Sequence, residues 1–180
     1  AGGKSHEQAK EIITQLKPVK GRMELVTQSS SAPMAIVDFA HTPDALEQVL
    51  KTLRVIAGER KGQLWCVFGC GGDRDVSKRP MMGRIAERYA DQVMITSDNP
   101  RSENPEQIIA EILSGFESPD RVQVNPDRAT AILQTIRQAK PEDIVLVAGK
   151  GHEETQEIAG KKHPFSDQMH LQLAMGGLAI

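Results

Sequence analysis

The sequence has little of what marks metal-binding or membrane proteins. Among its 180 residues there are 2 cysteines, and aromatic residues make up 3%. Cys66 and Cys70 are too few for a structural zinc site, and we expect them to act as small hydrophobic residues in a reducing compartment. No stretch approaches the roughly 20 apolar residues of a membrane helix, and no signal-peptide core opens the chain. These absences predict a cytoplasmic protein without a tightly bound transition metal.

An excess of charge of either sign is also absent. The chain has 22 basic and 24 acidic residues, for a net charge of −2, and they are spread evenly. Nothing therefore predicts binding to nucleic acid or to an anionic membrane surface. An apolar fraction of 39% is ordinary for one globular domain with a substantial core. We expect small molecules as the first partners.

Four short apolar runs predict buried strands, because they do not alternate with polar residues. They occupy residues 34–39, 64–68, 93–96 and 144–148. Between them, apolar residues recur at helical spacing, as in Leu46, Val49, Leu50 and Leu53. Threonine or asparagine precedes proline at 42–43 and at 104–105, which is typical of a helix start. The alternation predicts a doubly wound α/β domain with a mostly parallel sheet and helices on both faces.

The remaining segments are less regular. Residues 121–125 predict a further short strand, and residues 159–162 predict the turn of a hairpin or an extended loop. Ser166 and Asp167 are expected to cap a final helix that runs through Leu173. We interpret residues 1–19 as a polar linker with a helix, and residues 20–180 as the single domain.

Glycine and charge are concentrated directly after the apolar runs, at residues 40–44, 69–75, 97–101 and 149–154. In an open parallel sheet, ligands bind beyond the carboxyl ends of the strands. Taken singly, each loop has a plain structural explanation: the glycines permit tight turns, Lys150 or Glu153 is a solvated charge, and His41 is a turn or core histidine. Four charged loops on one rim favour a ligand site. Arg74 and Arg101 would grip carboxylates there, and Glu153 would accept from ammonium.

Three familiar motifs begin in this sequence but are incomplete. Residues 69–71 resemble the start of a dinucleotide fingerprint, but Arg74 stands in place of the third glycine. Residues 3–5 match the end of a phosphate-binding P-loop without its leading glycine and strand. His152 and Glu153 lack the second histidine of a zinc protease helix. A nicotinamide enzyme and a zinc protease are therefore excluded.

Five motifs together resemble one known family. They lie at residues 21–24, 38–44, 69–75, 98–101 and 149–153. In order and spacing they are similar to the C-terminal domain of the Mur ligases, and within that family to the enzymes that add meso-diaminopimelate during peptidoglycan synthesis. The resemblance covers Gly21 to about Leu173. It implies a three-domain enzyme whose first domain holds a UDP-sugar, whose central domain holds ATP, and whose last, Rossmann-like domain supplies the amino acid.

The resemblance also implies the chemistry. ATP, bound with Mg²⁺ mainly by the central domain, would phosphorylate the terminal carboxylate of UDP-MurNAc-L-Ala-D-Glu, and the amine of diaminopimelate would attack the acyl phosphate. The present chain would then hold no catalytic residue and would be inactive alone. Its contribution would be to orient the amine.

The implied diaminopimelate site consists of Arg74, Asp98, Asn99, Pro100, Arg101, Gly149 and Glu153, of which Asp98 and Pro100 shape the recognition turn. Diaminopimelate carries a second carboxylate and ammonium at its far end, for which the arginines and Glu153 are suitable partners. L-lysine lacks that carboxylate and would leave guanidinium donors unpaired, so we expect it to be rejected. In relatives that add lysine the last position of the turn generally differs from arginine, which makes Arg101 the predicted specificity residue.

Four further residues match family positions near the nucleotide. They are Arg22, Asp38, His41 and Lys78. The resemblance implies that Asp38 accepts from ribose hydroxyls, that Arg22 and Lys78 approach phosphate, and that His41 lies near adenine. Phe39 stands where a tyrosine is common, a change that we expect to be harmless.

Two alternatives stay open at this point. The chain could belong to another Mur ligase or a folylpolyglutamate-type ligase with the same architecture, although the Asp-Asn-Pro-Arg turn at 98–101 argues against these. It could also be a free-standing amino-acid-binding module, because a domain of this size can fold alone.

Overall fold

The computed structural model describes residues 20–27 and 31–176. A six-stranded sheet forms its centre, in the order β1-β2-β6-β3-β4-β5. The strands are β1 (Glu24–Thr27), β2 (Met34–Asp38), β3 (Leu64–Phe68), β4 (Gln92–Ile95), β5 (Gln123–Val124) and β6 (Ile144–Ala148). Neighbouring strands are parallel except β1, which pairs antiparallel with β2. The four apolar runs are thus confirmed as strands, while the antiparallel edge strand β1 escaped prediction.

Helices connect these strands and cover both faces of the sheet. They are α1 (Pro43–Arg60), α2 (Lys78–Tyr89), α3 (Pro105–Leu113), α4 (Arg128–Gln138) and α5 (Asp167–Gly176). The two expected caps are present: Thr42 accepts from the Ala45 amide, and Asn104 accepts from the Glu106 amide. The predicted hairpin is also confirmed, as the antiparallel pair β7 (Thr155–Ile158) and β8 (Lys161–Pro164). The helix predicted within residues 1–19 lies outside the described residues.

Two apolar cores result, one on each face of the sheet. On one face, α1, α2 and α3 pack on strand residues such as Cys66 and Phe68. On the other, α4 and α5 pack on the intervening residues, Trp65 and Val67 among them. Successive strand residues point to opposite faces, so strands that are buried on both sides need apolar residues throughout. The expected doubly wound, Rossmann-like architecture is confirmed.

A buried ion pair joins this second core to the ends of two strands. The Arg128 guanidinium on α4 meets both carboxylate oxygens of Asp167 on α5, at 2.8 and 2.9 Å, and both side chains are fully buried. The same guanidinium donates to the carbonyl oxygens of Ser97 and Ala148, at 3.3 and 3.0 Å. Arg128 therefore fixes where the loops after β4 and β6 begin.

We predict that Arg128→Met lowers the free energy of unfolding by about 3–5 kcal/mol, because it leaves the Asp167 carboxylate buried without its partner. Urea denaturation of the chain measures this. Arg137→Met, at an exposed position of the same helix, is the matched control and should change stability by less than about 0.5 kcal/mol. Equal stabilities of the two variants would contradict the structural role of Arg128.

Candidate functional site

A cleft of about 470 Å³ opens beyond the carboxyl ends of β2, β3, β4 and β6. The residues that line it come from all four loops that follow these strands and from the start of α2: Phe39, His41, Thr42, Gly71, Arg74, Asp75, Lys78, Asp98, Asn99, Arg101, Gly149 and Glu153. A larger hollow of about 560 Å³ lies between Glu47, Tyr89 and Glu117, but it shares no residue with the four loops. We take the strand-end cleft as the candidate site, because it alone of the two lies where parallel sheets bind ligands.

The structure brings together most of the residues that the sequence singled out. Six of the seven residues of the predicted amino-acid site line the cleft, as do two of the four residues predicted near the nucleotide, His41 and Lys78. Pro100 is the exception in the first group. It is buried, and its carbonyl oxygen accepts from the Glu103 amide at 3.0 Å. Its position fits the predicted role of shaping the turn.

The other two predicted residues, Arg22 and Asp38, lie outside the cleft lining. The Arg22 guanidinium lies over the Phe39 ring, 4.8 Å from its centroid. Asp38 is buried, and its Oδ2 accepts from the Met23 amide at 2.7 Å. That oxygen anchors the segment before β1, so a nucleotide role for Asp38 would depend on its other oxygen.

Glycine allows the loop after β3 to lie directly against the 98–101 turn. The Gly72 amide donates to the Asn99 carbonyl oxygen at 2.9 Å. A Cβ atom on Gly72 would lie 2.0 Å from the Pro100 carbonyl oxygen, so no larger residue fits without displacing the turn. The Arg101 guanidinium then donates to the Gly72 carbonyl oxygen at 2.7 Å. The two loops thereby fix where Arg101 enters the cleft.

The hairpin supports the same turn from the other side. Arg101 donates its amide to the Glu157 carbonyl oxygen at 3.0 Å, and its own carbonyl oxygen accepts from the Ala159 amide at 2.7 Å. The Gln156 side chain donates to the Asp98 carbonyl oxygen at 2.8 Å. The sequence predicted the hairpin but not this contact, because long-range docking of a loop leaves no local pattern.

Lys150 is a site residue that the sequence analysis missed. Its side chain is fully buried, so the interpretation of Lys150 as a solvated charge is wrong. The ammonium donates to Asn99 Oδ1 at 3.0 Å and to Glu153 Oε2 at 2.8 Å, and Asp98 Oδ1 lies at 3.9 Å. One signal was available: Lys150 directly follows a five-residue apolar run and stands between two glycines.

The two carboxyl groups around Lys150 are shifted in opposite directions. Burial raises the pKa of Asp98 above its ordinary value of 3.8, although the Arg128 and Lys150 cations oppose the rise. Burial also acts to raise the pKa of Glu153. Hydrogen bonds from Lys150 and Asn99 outweigh it, however, and the pKa falls below its ordinary value of 4.5. Glu153 is thus held as an anion at neutral pH.

The wall of the cleft offers charges of both signs within one small volume. Arg74, Lys78 and Arg101 are cationic donors, and Asp75 and Glu153 are anionic acceptors. Such a lining suits a zwitterionic ligand with separated carboxylate and ammonium groups. Across residues 20–27 and 31–176, no cluster of three His, Cys, Asp or Glu side chains could hold a metal ion. In the same part of the chain, no helix is long and apolar enough to span a membrane.

Fold and cleft together define an α/β domain with a cleft of mixed charge at its strand ends. The family model described as "Mur ligase, glutamate ligase domain" matches residues 21–151. The chain therefore belongs to the Mur ligase family.

Individual relatives show which members of the family this chain resembles. A UDP-N-acetylmuramoyl-L-alanyl-D-glutamate–2,6-diaminopimelate ligase of Ralstonia nicotianae is 55% identical over 168 residues, which cover 93% of this chain and 32% of the relative. A solved structure of a ligase with the same name aligns with a TM-score of 0.79 and 44% identity, covering 95% of this chain and 36% of that one. The chain thus spans about a third of the length of the relatives it matches.

A more distant structure shares the fold alone. A bifunctional folylpolyglutamate synthase/dihydrofolate synthase solved with Mn, AMPPNP and L-glutamate aligns with a TM-score of 0.58 at 22% identity, over 75% of this chain and 30% of that one.

We predict that carboxyl ¹³C NMR titration finds the pKa of Asp98 above 3.8 and that of Glu153 below 4.5. The cause is the opposite balance of burial and hydrogen bonding at two neighbouring carboxyl groups. Asp98→Asn and Glu153→Gln variants assign the resonances. Shifts in the same direction would contradict the charge arrangement around Lys150.

Proposed function

We propose that the chain is the amino-acid-binding domain of an ATP-dependent ligase that joins meso-diaminopimelate to UDP-MurNAc-L-Ala-D-Glu in peptidoglycan synthesis. One observation carries the proposal: the strand-end cleft has Arg74 and Arg101 in its lining together with Glu153. Guanidinium groups pair with a carboxylate and Glu153 accepts from an ammonium, which are the two groups at the far end of diaminopimelate. The names of the relatives agree with this substrate.

The contribution of this domain to the reaction is positional. The far end of the amino acid is held by Arg74, Asn99, Arg101 and Glu153, beside Asp98 and Gly149, while the other amine is left to attack the acyl phosphate of the nucleotide-sugar substrate. Holding that amine in place reduces the entropy lost on reaching the transition state. The phosphorylating chemistry, with ATP and Mg²⁺, belongs to the remaining two-thirds of the longer relatives.

Arg22, His41 and Lys78 form a rim near Phe39, at the edge of the cleft. The Lys78 ammonium donates to the His41 carbonyl oxygen at 3.0 Å, and the His41 and Phe39 rings pack edge to face with centroids 4.5 Å apart. We propose that this rim meets the phosphates and the base of ATP at the junction with the central domain. Asp38 would support it by anchoring the segment that carries Arg22.

The free-standing module is the second candidate function. The relatives, which are about three times as long, favour the ligase. The coding sequence upstream decides between them: a continuous reading frame with an ATP-binding loop supports the ligase. A cytoplasmic location stays a prediction, supported by two buried free thiols.

We predict that calorimetric titration of the chain detects meso-diaminopimelate binding at least about 100-fold tighter than L-lysine binding. Lysine lacks the far carboxylate, so it would not supply the group that the guanidinium groups of Arg74 and Arg101 are proposed to bind. L-lysine bound as tightly as diaminopimelate would contradict the proposed specificity.

In the complete ligase, we predict that Arg101→Ala raises the KM for diaminopimelate by about 30- to 100-fold, because a charge-assisted contact to carboxylate is lost. The KM for ATP should change by less than about threefold. Arg137→Ala, an exposed change outside the cleft, is the matched control. An unchanged KM for diaminopimelate in Arg101→Ala would remove Arg101 from the site.

A further inference from the structure

Lys150 lies behind the wall of the cleft rather than on its surface. It is absent from the lining, and its side chain has no exposed area. A buried ammonium is tolerated only when polar or charged partners replace its water. Here those partners are Asn99, Glu153 and, at longer range, Asp98, all of which do line the cleft. The buried cation is therefore connected to three residues that face the ligand.

The first consequence concerns the orientation of the Asn99 amide. Its Oδ1 receives two donors, the Lys150 ammonium at 3.0 Å and the Glu157 amide at 2.9 Å. An amide oxygen accepts and an amide nitrogen donates, so these two donors identify the atom that they share as the oxygen of the Asn99 side chain. The Asn99 nitrogen must then point the other way, and it donates to Glu153 Oε2 at 2.8 Å.

The second consequence concerns Glu153. Both of its neighbours donate to the same oxygen, since Lys150 and Asn99 each meet Oε2 at 2.8 Å. Among the described residues, none donates to Oε1. The carboxylate is thus held through one oxygen while the other stays available as an acceptor. Because Glu153 lines the cleft, that acceptor suits an ammonium group of the ligand.

We infer that Lys150 is a positioning residue for amino-acid selection, which holds Asn99 and Glu153 so that the Glu153 carboxylate receives the far ammonium of the diamino acid. This inference rests on the proposed function. Lys150 itself does not touch the amino acid. It orients one donor, the Asn99 amide nitrogen, and one acceptor, the Glu153 carboxylate, and these two groups contact the amino acid. Residues behind the ligand contacts have the same orienting role in other binding sites.

A pair of ligands separates this role from a merely structural one. 2-Aminopimelate has the same chain length and both carboxylates as diaminopimelate but lacks the far ammonium. In the complete ligase, Lys150→Met should raise the calorimetric Kd for meso-diaminopimelate by about 30-fold and the Kd for 2-aminopimelate by less than about threefold. The KM for diaminopimelate should rise in parallel, with kcat changed by less than about threefold.

Glu153→Gln is the matched variant, because it removes the acceptor that Lys150 is proposed to hold. It should reduce the preference for diaminopimelate to the same extent, and the double variant Lys150→Met/Glu153→Gln should lose little more than either single variant. The double variant also removes the charge of both partners, so it remains informative if Lys150→Met alone does not fold.

The outcomes are distinct. A weakening in Lys150→Met that is equal for both ligands, or additive losses in the double variant, would show a structural role and overturn the inference. If the unaltered ligase does not bind diaminopimelate, the proposed function fails, and the inference fails with it. If Lys150→Met keeps the wild-type preference for diaminopimelate over 2-aminopimelate, the inference is overturned while the proposed function stands.

Discussion

Four parallel strands end at one edge of the sheet, and the loops that follow them are packed so closely that parts of their backbone have no room for a Cβ atom. Gly69 lies against the carbonyl oxygen of Thr96, and Gly72 against that of Pro100, at distances that exclude any side chain. This close approach is the constraint on which the rest depends. It joins the loops after β3 and β4 into one wall, and Arg101 and Asn99 of that wall line the same cleft as Glu153.

Two buried cations lie behind that wall and pair with carboxylates. Arg128 and Lys150 are both fully buried, and each is satisfied by a carboxylate together with neutral oxygen atoms. Breaking such a pair is far more destabilising than the pair itself is stabilising, so these cations specify geometry more than they add stability. Arg128 fixes where two loops leave the sheet, and Lys150 fixes how the side chains on them are oriented. The exposed Arg74 is the contrasting case, free of such support except for a bond to the carbonyl oxygen of Asp73.

Much of the fold followed from the sequence, because buried strands, amphipathic helices and proline-led helix starts are local patterns. The edge strand β1 did not, since its four residues, Glu24–Thr27, include no apolar run and depend on pairing with β2. Within the site, the loops were predictable because they follow apolar runs. The burial of Lys150 and the contact of Glu157 with Asn99 were not, because both depend on segments about 50 residues apart in the chain. The predicted contacts of Arg22 and Asp38 with nucleotide stay predictions.

The most direct measurement is a crystal structure of the domain with meso-diaminopimelate. The account predicts the far carboxylate within hydrogen-bond distance of the Arg101 guanidinium and the far ammonium within about 3 Å of Glu153, with the other amine directed out of the cleft. A ligand seated in the hollow beside Tyr89, or held in the cleft with its far ammonium remote from Glu153, would contradict it.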